Sequence, residues 1–331
     1  MLKFFVLALI FFLISSYAIA QQKAQNLLFE SHDILELTIV SDYNDITEDV
    51  YGSSDDHKGK LIYHDSNDNK VKVEIEIETR GNFRRNPDNC DFPPLEIDFD
   101  GDYQNTIFQG QNKLKLVTHC RDTLENADEN VMKEYLIYRI YNMLTPQSFK
   151  VRLCKINYRQ RWWINTKKRI AFFIEDNDDV AERLGGKELD KDDDYLPIDS
   201  LCLARMALFQ YMIGNSDWTI MPLQNTEVIK VPGKNSFPVP YDFDLSAFVN
   251  AVYAPKALFI EPEELYNRVY KGPELSSRFV KEAKNEFLQK REELEQLVEQ
   301  ENRLSEGEKE RILNYIESFY SDIKSGDINT R

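Results

Sequence analysis

The run Val71-Lys72-Val73-Glu74-Ile75-Glu76-Ile77-Glu78 alternates strictly between β-branched and charged residues. Successive strand side chains point to opposite faces, so the valines and isoleucines share one face and the charges the other. This part of the chain is thereby committed to a sheet with one wet side. Ile34–Val40 alternates in the same way, and shorter strand candidates lie at Gly59–Tyr63, Leu95–Phe99 and Leu114–Val117. Turn-forming clusters such as Asp65-Ser66-Asn67-Asp68-Asn69 separate them.

Periodicity predicts a helix over about Asn130–Leu144, with Met132, Leu136, Ile140 and Met143 on one stripe and Pro146 beyond its end. Strands are expected at Phe149–Tyr158 and Arg169–Ile174, after which the pattern turns helical. The carboxylate-rich Lys187–Asp194 reads as a solvated loop; it lacks the glycine and terminal glutamate of a calcium loop. Asp199 is placed to cap a helix in which Cys202, Met206, Phe209 and Ile213 share a face, and Gly214 to end it in the left-handed conformation. Val280, Ala283, Phe287, Leu294 and Val298 trace a further apolar stripe. Ser305 with Glu308 has the form of a capping box ahead of Ile312, Ile316, Phe319 and Ile323. Both closing helices are expected to pack on the second half of the chain; a coiled-coil dimer is the alternative.

Met1–Ala20 reads as an export signal: Lys3, an apolar run from Phe4 to Ile14, and Ala18-Ile19-Ala20 as the cleavage shape. The expectation is a secreted or periplasmic, monomeric protein cut near Ala20, without stable membrane insertion. With 57 acidic and 41 basic residues the net charge is −16, a surface that repels nucleic acid and anionic lipid. The four cysteines, Cys90, Cys120, Cys154 and Cys202, allow three pairings, of which Cys90 with Cys120 fits best, since both lie just outside strand-like runs of the first half. Cys202 also reads as a small buried hydrophobe within its helix.

Gly214-Asn215-Ser216-Asp217 and Tyr241-Asp242-Phe243-Asp244, with Asn225 between them, carry the chemistry. Phosphoryl transfer needs a carboxylate to orient and deprotonate the acceptor, oxygen ligands for a hard cation, and positive charge near the phosphates. Asp217 suits the first role; Asn225, Asp242 and Asp244 suit the second. Lys113 or Lys115, alternating with leucines on one strand, suits the third. Strands at Gln224–Val231 and Phe237–Tyr241, joined by Pro232-Gly233-Lys234-Asn235, bring Asn225 and Asp242 to one end of a hairpin. The plainer reading is a turn-forming Asp217 and a loop whose Phe243 fills a hydrophobic hole.

Arg80-Gly81-Asn82, Lys113–Asp122, the helix Val131–Met143, Phe172-Phe173-Ile174-Glu175 and the two carboxylate motifs occur in an order that resembles the spore-coat protein H (CotH) kinases. The likeness covers roughly Arg80 to Val249. It implies an α+β, atypical protein-kinase-like bilobal fold, with a strand-rich N-terminal lobe over residues 21–174 and a mostly helical C-terminal lobe over 175–331. It also implies ATP as substrate, Mg2+ or Mn2+, and a protein side chain as acceptor. By the same likeness Asp217 is the catalytic aspartate and Asp242 a metal ligand. Glu175 lies between the lobes, Glu134 is the helix glutamate that pairs with a lysine, and Arg80 stands in for a phosphate loop. The sequence departs from the pattern where Trp218–Gln224 intervenes before Asn225, and where Lys133-Glu134 and Arg139 stand in the helix. Those departures favour the alternative of a catalytically inactive, kinase-fold binding or envelope-associated structural module. A third reading, a metal-assisted hydrolase, would use Asp217, Asp242 and Asp244.

Overall fold

The computed structural model describes residues 27–49, 54–101, 103–123, 126–162, 166–189, 197–251, 253–254, 268–326 and 328. Met1–Ala20, read from the sequence as an export signal, and positions 190–194 of the acidic stretch lie outside the described residues.

The elements run α1 (Leu27–Glu30), β1 (Leu35–Ser41), α2 (Tyr43–Glu48), β2 (His57–His64), β3 (Lys70–Thr79), β4 (Leu95–Phe99), β5 (Lys113–Val117), α3 (Ala127–Leu144), β6 (Val151–Gln160) and β7 (Thr166–Ile174). There follow α4 (Asn177–Arg183), β8 (Lys187–Glu188), α5 (Ser200–Ile213), β9 (Thr219–Ile220), β10 (Leu223–Gln224), β11 (Thr226–Lys230), β12 (Phe237–Pro240), α6 (Ser277–Glu299) and α7 (Glu306–Ser325).

The first seven strands close into a barrel in the order β1-β2-β3-β4-β5-β7-β6. All neighbours are antiparallel except β1 and β6, which run parallel from Leu35 opposite Cys154 to Ser41 opposite Gln160. The alternation read from the sequence is borne out: Val73, Ile75 and Ile77 point inward with Leu37, Ile39, Leu61, Leu95, Ile97, Leu114, Leu116, Ile156 and Phe173. Gly59 faces the same interior. A Cβ there would lie 3.0 Å from Ile77 Cδ1 and 3.2 Å from Val40 O, so any larger residue would have to displace its neighbours in the crowded barrel.

The expected protein-kinase-like bilobal fold is overturned by this closure. One-sided alternation specifies which face of a strand is buried, not whether the sheet stays open. The pairing that seals the barrel joins strands more than a hundred residues apart, as Ser41 opposite Gln160 illustrates. The second half is not simply helical either, because a three-stranded sheet β12-β11-β8 and a two-stranded β10-β9 sit among its helices. Lys187 and Glu188, expected in a solvated loop, form β8 against Lys230 and Ile229.

A second, larger core joins α3 and the outward-facing Val151, Leu153, Phe172 and Ile174 of β6 and β7 to α5, α6 and α7. The closing helices bury the stripes read from the sequence, including Phe287, Leu294, Ile312, Ile316 and Phe319. The capping box is not formed. Ser305 makes no side-chain cap bond, while Glu308 accepts from the buried Lys133 Nζ at 2.9 Å and from Arg311. A carboxylate that neutralises a buried ammonium does more for stability than one that caps a solvated turn. Cys90 and Cys120 form the expected disulfide, tying the loop after β3 to the loop after β5; Cys154 and Cys202 are buried thiols. No helix among the described residues is long and apolar enough to cross a membrane.

Candidate functional site

The site is built at the junction of the two cores. Helix α5 starts at Asp199, whose carboxylate accepts from the amides of Leu201 and Cys202, and ends at Gly214 with φ 62°. Its terminus is buried among Ile213, Phe209 and Phe248, so the loop beyond it starts from a rigid base. Asn215 sits under that loop. It donates from Nδ2 to Gln210 Oε1 (3.0 Å) and accepts at Oδ1 from the amide of Asp217 (2.9 Å). That Asx turn orients Asp217 locally.

The insertion Trp218–Gln224 supplies the rest. Trp218 is buried against Leu203, Met206 and Ala207, and β9 turns back antiparallel onto β10. The return brings Gln224 and Asn225 onto Asp217: Gln224 Nε2 donates to Oδ1, and Asn225 Nδ2 donates to Oδ2 (3.1 Å) and to the backbone oxygen (2.7 Å). Asn225, expected as a metal ligand, thus aims its amide nitrogen at Asp217 and acts as its support. It holds φ 50°, a left-handed conformation that asparagine tolerates better than most residues.

The β11–β12 hairpin forms as expected, with Thr226 opposite Pro240 and the Tyr241 amide donating to Asn225 O at 3.1 Å. Asp242 follows at φ 60°, and its amide donates to the buried Tyr138 hydroxyl of α3 (3.0 Å). Two non-glycine residues in this sparsely populated region, both beside Asp217, mark where the surroundings over-determine the backbone. Phe243 fills the hole between Tyr138 and Phe209, with ring centroids at 4.7 and 5.6 Å. It anchors the turn that carries Asp242 and Asp244.

Four carboxylates converge here. Asp244 is 6% exposed and accepts from the Tyr253 hydroxyl at 3.3 Å. Burial, then the charge of Asp242, pushes its pKa up to about 7. Glu134 is 3% exposed, and burial followed by Asp244 and Asp242 raises it well above the ordinary carboxyl range, against the pull of Arg84 and Arg80. Asp217 is also raised, by burial and then by Asp242, with the Asn225 hydrogen bond and Lys271 opposing. Desolvation is the largest cause at all three, and a neighbouring carboxylate the second.

A stability test follows from Glu134. Its folded-state pKa lies above the 4.5 of an exposed glutamate, so the folded state holds the extra proton and is favoured below that pH. This contribution is lost as pH rises through the folded value. In urea unfolding with chelator present, Glu134→Gln is expected to flatten the decline in stability above pH 4.5. An unchanged slope would mean that Glu134 is not held protonated.

The two candidate lysines part company. Lys113 is taken up at the surface by Asp98 (2.9 Å), Glu96 (3.3 Å) and Glu78 (3.5 Å), and the Asp98 hydrogen bond raises its pKa. Lys115 lies over the rings of Phe149 and Tyr241 (5.5 and 5.4 Å) and donates to Asn177 Oδ1 (2.5 Å); burial, then Arg80, lowers its pKa. Arg80, Lys115, Glu134, Tyr138, Tyr241 and Asp242 line one cavity of about 10 Å³, room for about one water. Glu134 forms no ion pair with a lysine among the described residues. The basic groups that oppose its charge are Arg84 and Arg80, because Lys133 of the same helix is committed to Glu308. Glu175 is occupied structurally, accepting from Nε and Nη2 of Arg183 and from the Lys150 amide.

Arg84, Tyr138, Tyr253, Asn215 and Gln224 belong to this constellation and were not expected from the sequence. Only Asn215 had a local signal, as the first residue of an Asx turn ending on Asp217. Among the described residues no group of three or more His, Cys, Asp or Glu is gathered closely enough to hold a metal by itself. The oxygen-donor chemistry of Asp242 and Asp244 and their like-charge repulsion nonetheless suit a hard divalent cation. The chain matches no protein-family model and no curated protein.

Proposed function

We propose that this chain is an exported phosphotransferase that moves the terminal phosphate of ATP to a side-chain hydroxyl of a protein substrate, with a divalent cation. The observation that carries the reading is the convergence of Asp217 and Asp242, near enough for the charge of one to raise the pKa of the other, beside a cavity lined by Arg80 and Lys115. Function resides in such a constellation rather than in the scaffold, so a barrel is as acceptable a support as any.

Asp217 is the base. Its raised pKa strengthens its affinity for a proton, and Asn215, Gln224 and Asn225 hold its orientation. It takes the proton of the acceptor hydroxyl as the new O–P bond forms and the bond from the terminal phosphorus to the nucleoside diphosphate oxygen breaks. Lys115 and Arg80 are placed to balance phosphate charge. Asp242 and Asp244 would hold Mg2+ or Mn2+, which supplies charge neutralisation on the phosphates. Mg2+ is commonly held by one or two carboxylates together with substrate phosphates, so a complete protein cage is not required. The Cys90–Cys120 disulfide agrees with a secreted or periplasmic location.

The second reading, a non-catalytic binding module, draws on the small volume among these groups, far below the several hundred Å³ of an ordinary ligand site. ATP could enter only if the groups lining that cavity moved apart. The two readings separate in one experiment on the mature chain. Under the first, ATP with Mg2+ raises the melting temperature, and radiolabelled phosphate passes to a protein acceptor or to the chain itself. No shift and no transfer with either cation would remove the phosphotransferase reading and leave the binding module.

A further inference from the structure

The outer face of the barrel carries a basic depression that the proposed phosphotransferase site does not use. Strand registers set Lys72, Ile62, Thr38, Asn157 and Lys168 side by side across β3, β2, β1, β6 and β7. Along β6, Asn157 lies between Lys155 and Arg159, which pair across β1 with Glu36 and Val40. Thr38, Ile62 and Asn157 are short and form a floor, while Lys155, Arg159, Lys168 and Lys70 are long and rise around it. The difference in side-chain length encloses a cavity of about 300 Å³.

The charge balance there is opposite to that of the whole chain. Lys70, Lys155, Arg159 and Lys168 face one lining carboxylate, Glu36, which lies 3.9 Å from Lys155. Among the described residues Lys70, Arg159 and Lys168 have no carboxylate within ion-pair distance. This concentration stands on a protein whose net charge is −16. In the floor, the Thr38 hydroxyl and the Asn157 carboxamide line the same space, and each carries an N–H or O–H that can donate to an anion. The guanidinium and two ammonium groups on β6 and β7 together match a ligand with several anionic oxygens. Lys155 and Arg159, four residues apart, are about 13 Å apart along the strand. The volume fits a compact ligand, not a long polymer.

We propose that this depression binds a compact phosphate anion, free or as a lipid headgroup. Arg159 and Lys168 clamp it from adjacent strands, Lys155 and Lys70 close the rim, and the floor supplies neutral hydrogen bonding. The surrounding acidic surface opposes approach from a distance, so binding is short-ranged and confined to the depression.

The test uses the mature chain, inorganic triphosphate as the free probe, and phosphatidylglycerol and phosphatidylcholine vesicles as the membrane arm. Triphosphate is expected to bind saturably in calorimetry, and Arg159→Glu with Lys168→Glu to raise its Kd about ten-fold or more. Lys234→Glu with Lys281→Glu, on the β11–β12 turn and on α6, changes net charge equally away from the barrel face and is expected to leave Kd within about two-fold. Binding that persists in Asp242→Asn separates this site from the carboxylate site, whatever becomes of the phosphotransferase reading. Co-sedimentation with phosphatidylglycerol alone, lost in the Arg159/Lys168 variant, assigns the ligand to a headgroup; triphosphate binding without co-sedimentation assigns it to a free anion. Absence of both, or equal losses in the two double variants, overturns the proposal.

Discussion

Asp217→Asn is expected to lower phosphate transfer about 10²–10⁴-fold, the usual contribution of a positioned base, while leaving stability within about 1 kcal/mol. The substitution places an amide nitrogen against either Gln224 Nε2 or Asn225 Nδ2, both donors to the present carboxylate, so one hydrogen bond worth about 1 kcal/mol is lost. It also removes the repulsion from Asp242 that raises the Asp217 pKa, which offsets the loss. Asp242 should respond differently. Asp242→Asn keeps a residue that tolerates φ 60° but removes a charged oxygen donor, so the Mg2+-dependent part of the ATP-induced melting shift is expected to disappear. Wild-type rates equal to those of both variants would end the assignment of this site to phosphate transfer.

The largest stability effect is expected at Gly214. An alanine there would have to hold φ 62°, and its Cβ would lie 2.8 Å from Ala247 Cβ and overlap the Tyr315 hydroxyl. Left-handed backbone strain of about 1–2 kcal/mol adds to overpacking of about 1–3 kcal/mol. Urea unfolding should therefore show Gly214→Ala destabilised by about 2–5 kcal/mol with the m-value unchanged. Adding Tyr315→Phe removes the hydroxyl in the way and is expected to recover part of the steric loss but none of the backbone strain. Gly307→Ala, on the first turn of α7 with no atom within 4 Å of the added Cβ, should be neutral or slightly stabilising. Equal effects at the two glycines would refute the close approach at the α5 terminus. Because Asn215 and Asp217 hang from that terminus, Gly214→Ala should lower transfer as well.

What could be read before folding is what a few neighbouring residues decide. Strand sidedness at Val71–Glu78, the Asp199 cap and Gly214 stop of α5, the stripes of α6 and α7, and the Asp242 turn all appeared where local pattern placed them. Cys90 and Cys120 were paired correctly because each sits beside a strand end, and β4 and β5 are neighbours. The failures share a cause. Ser305 and Glu308 satisfy the capping pattern, yet Lys133, distant in sequence, claims the carboxylate. Lys113 and Lys115 have equal standing in the alternation; only the neighbours brought by β3, β4 and the Tyr241 loop make one a surface ion-pair partner and the other a cavity wall. Trp218–Gln224 looked like an interruption before Asn225, and the β9–β10 reversal makes it the device that returns Gln224 and Asn225 to Asp217.

By itself, then, the sequence determined where the longer strands and helices lie, which face of each is apolar, and which short motifs carry carboxylates on turns. Those properties depend on backbone geometry and side-chain period within a few residues. Tertiary structure alone decided that seven strands close into a barrel through the parallel β1–β6 pairing, that Glu134 shares its surroundings with Asp242 and Asp244, and that Lys155, Arg159 and Lys168 surround one depression on an acidic protein. Each joins groups far apart in sequence. Their energies arise from pairing, desolvation and like-charge repulsion, which exist only once folding has set the distances.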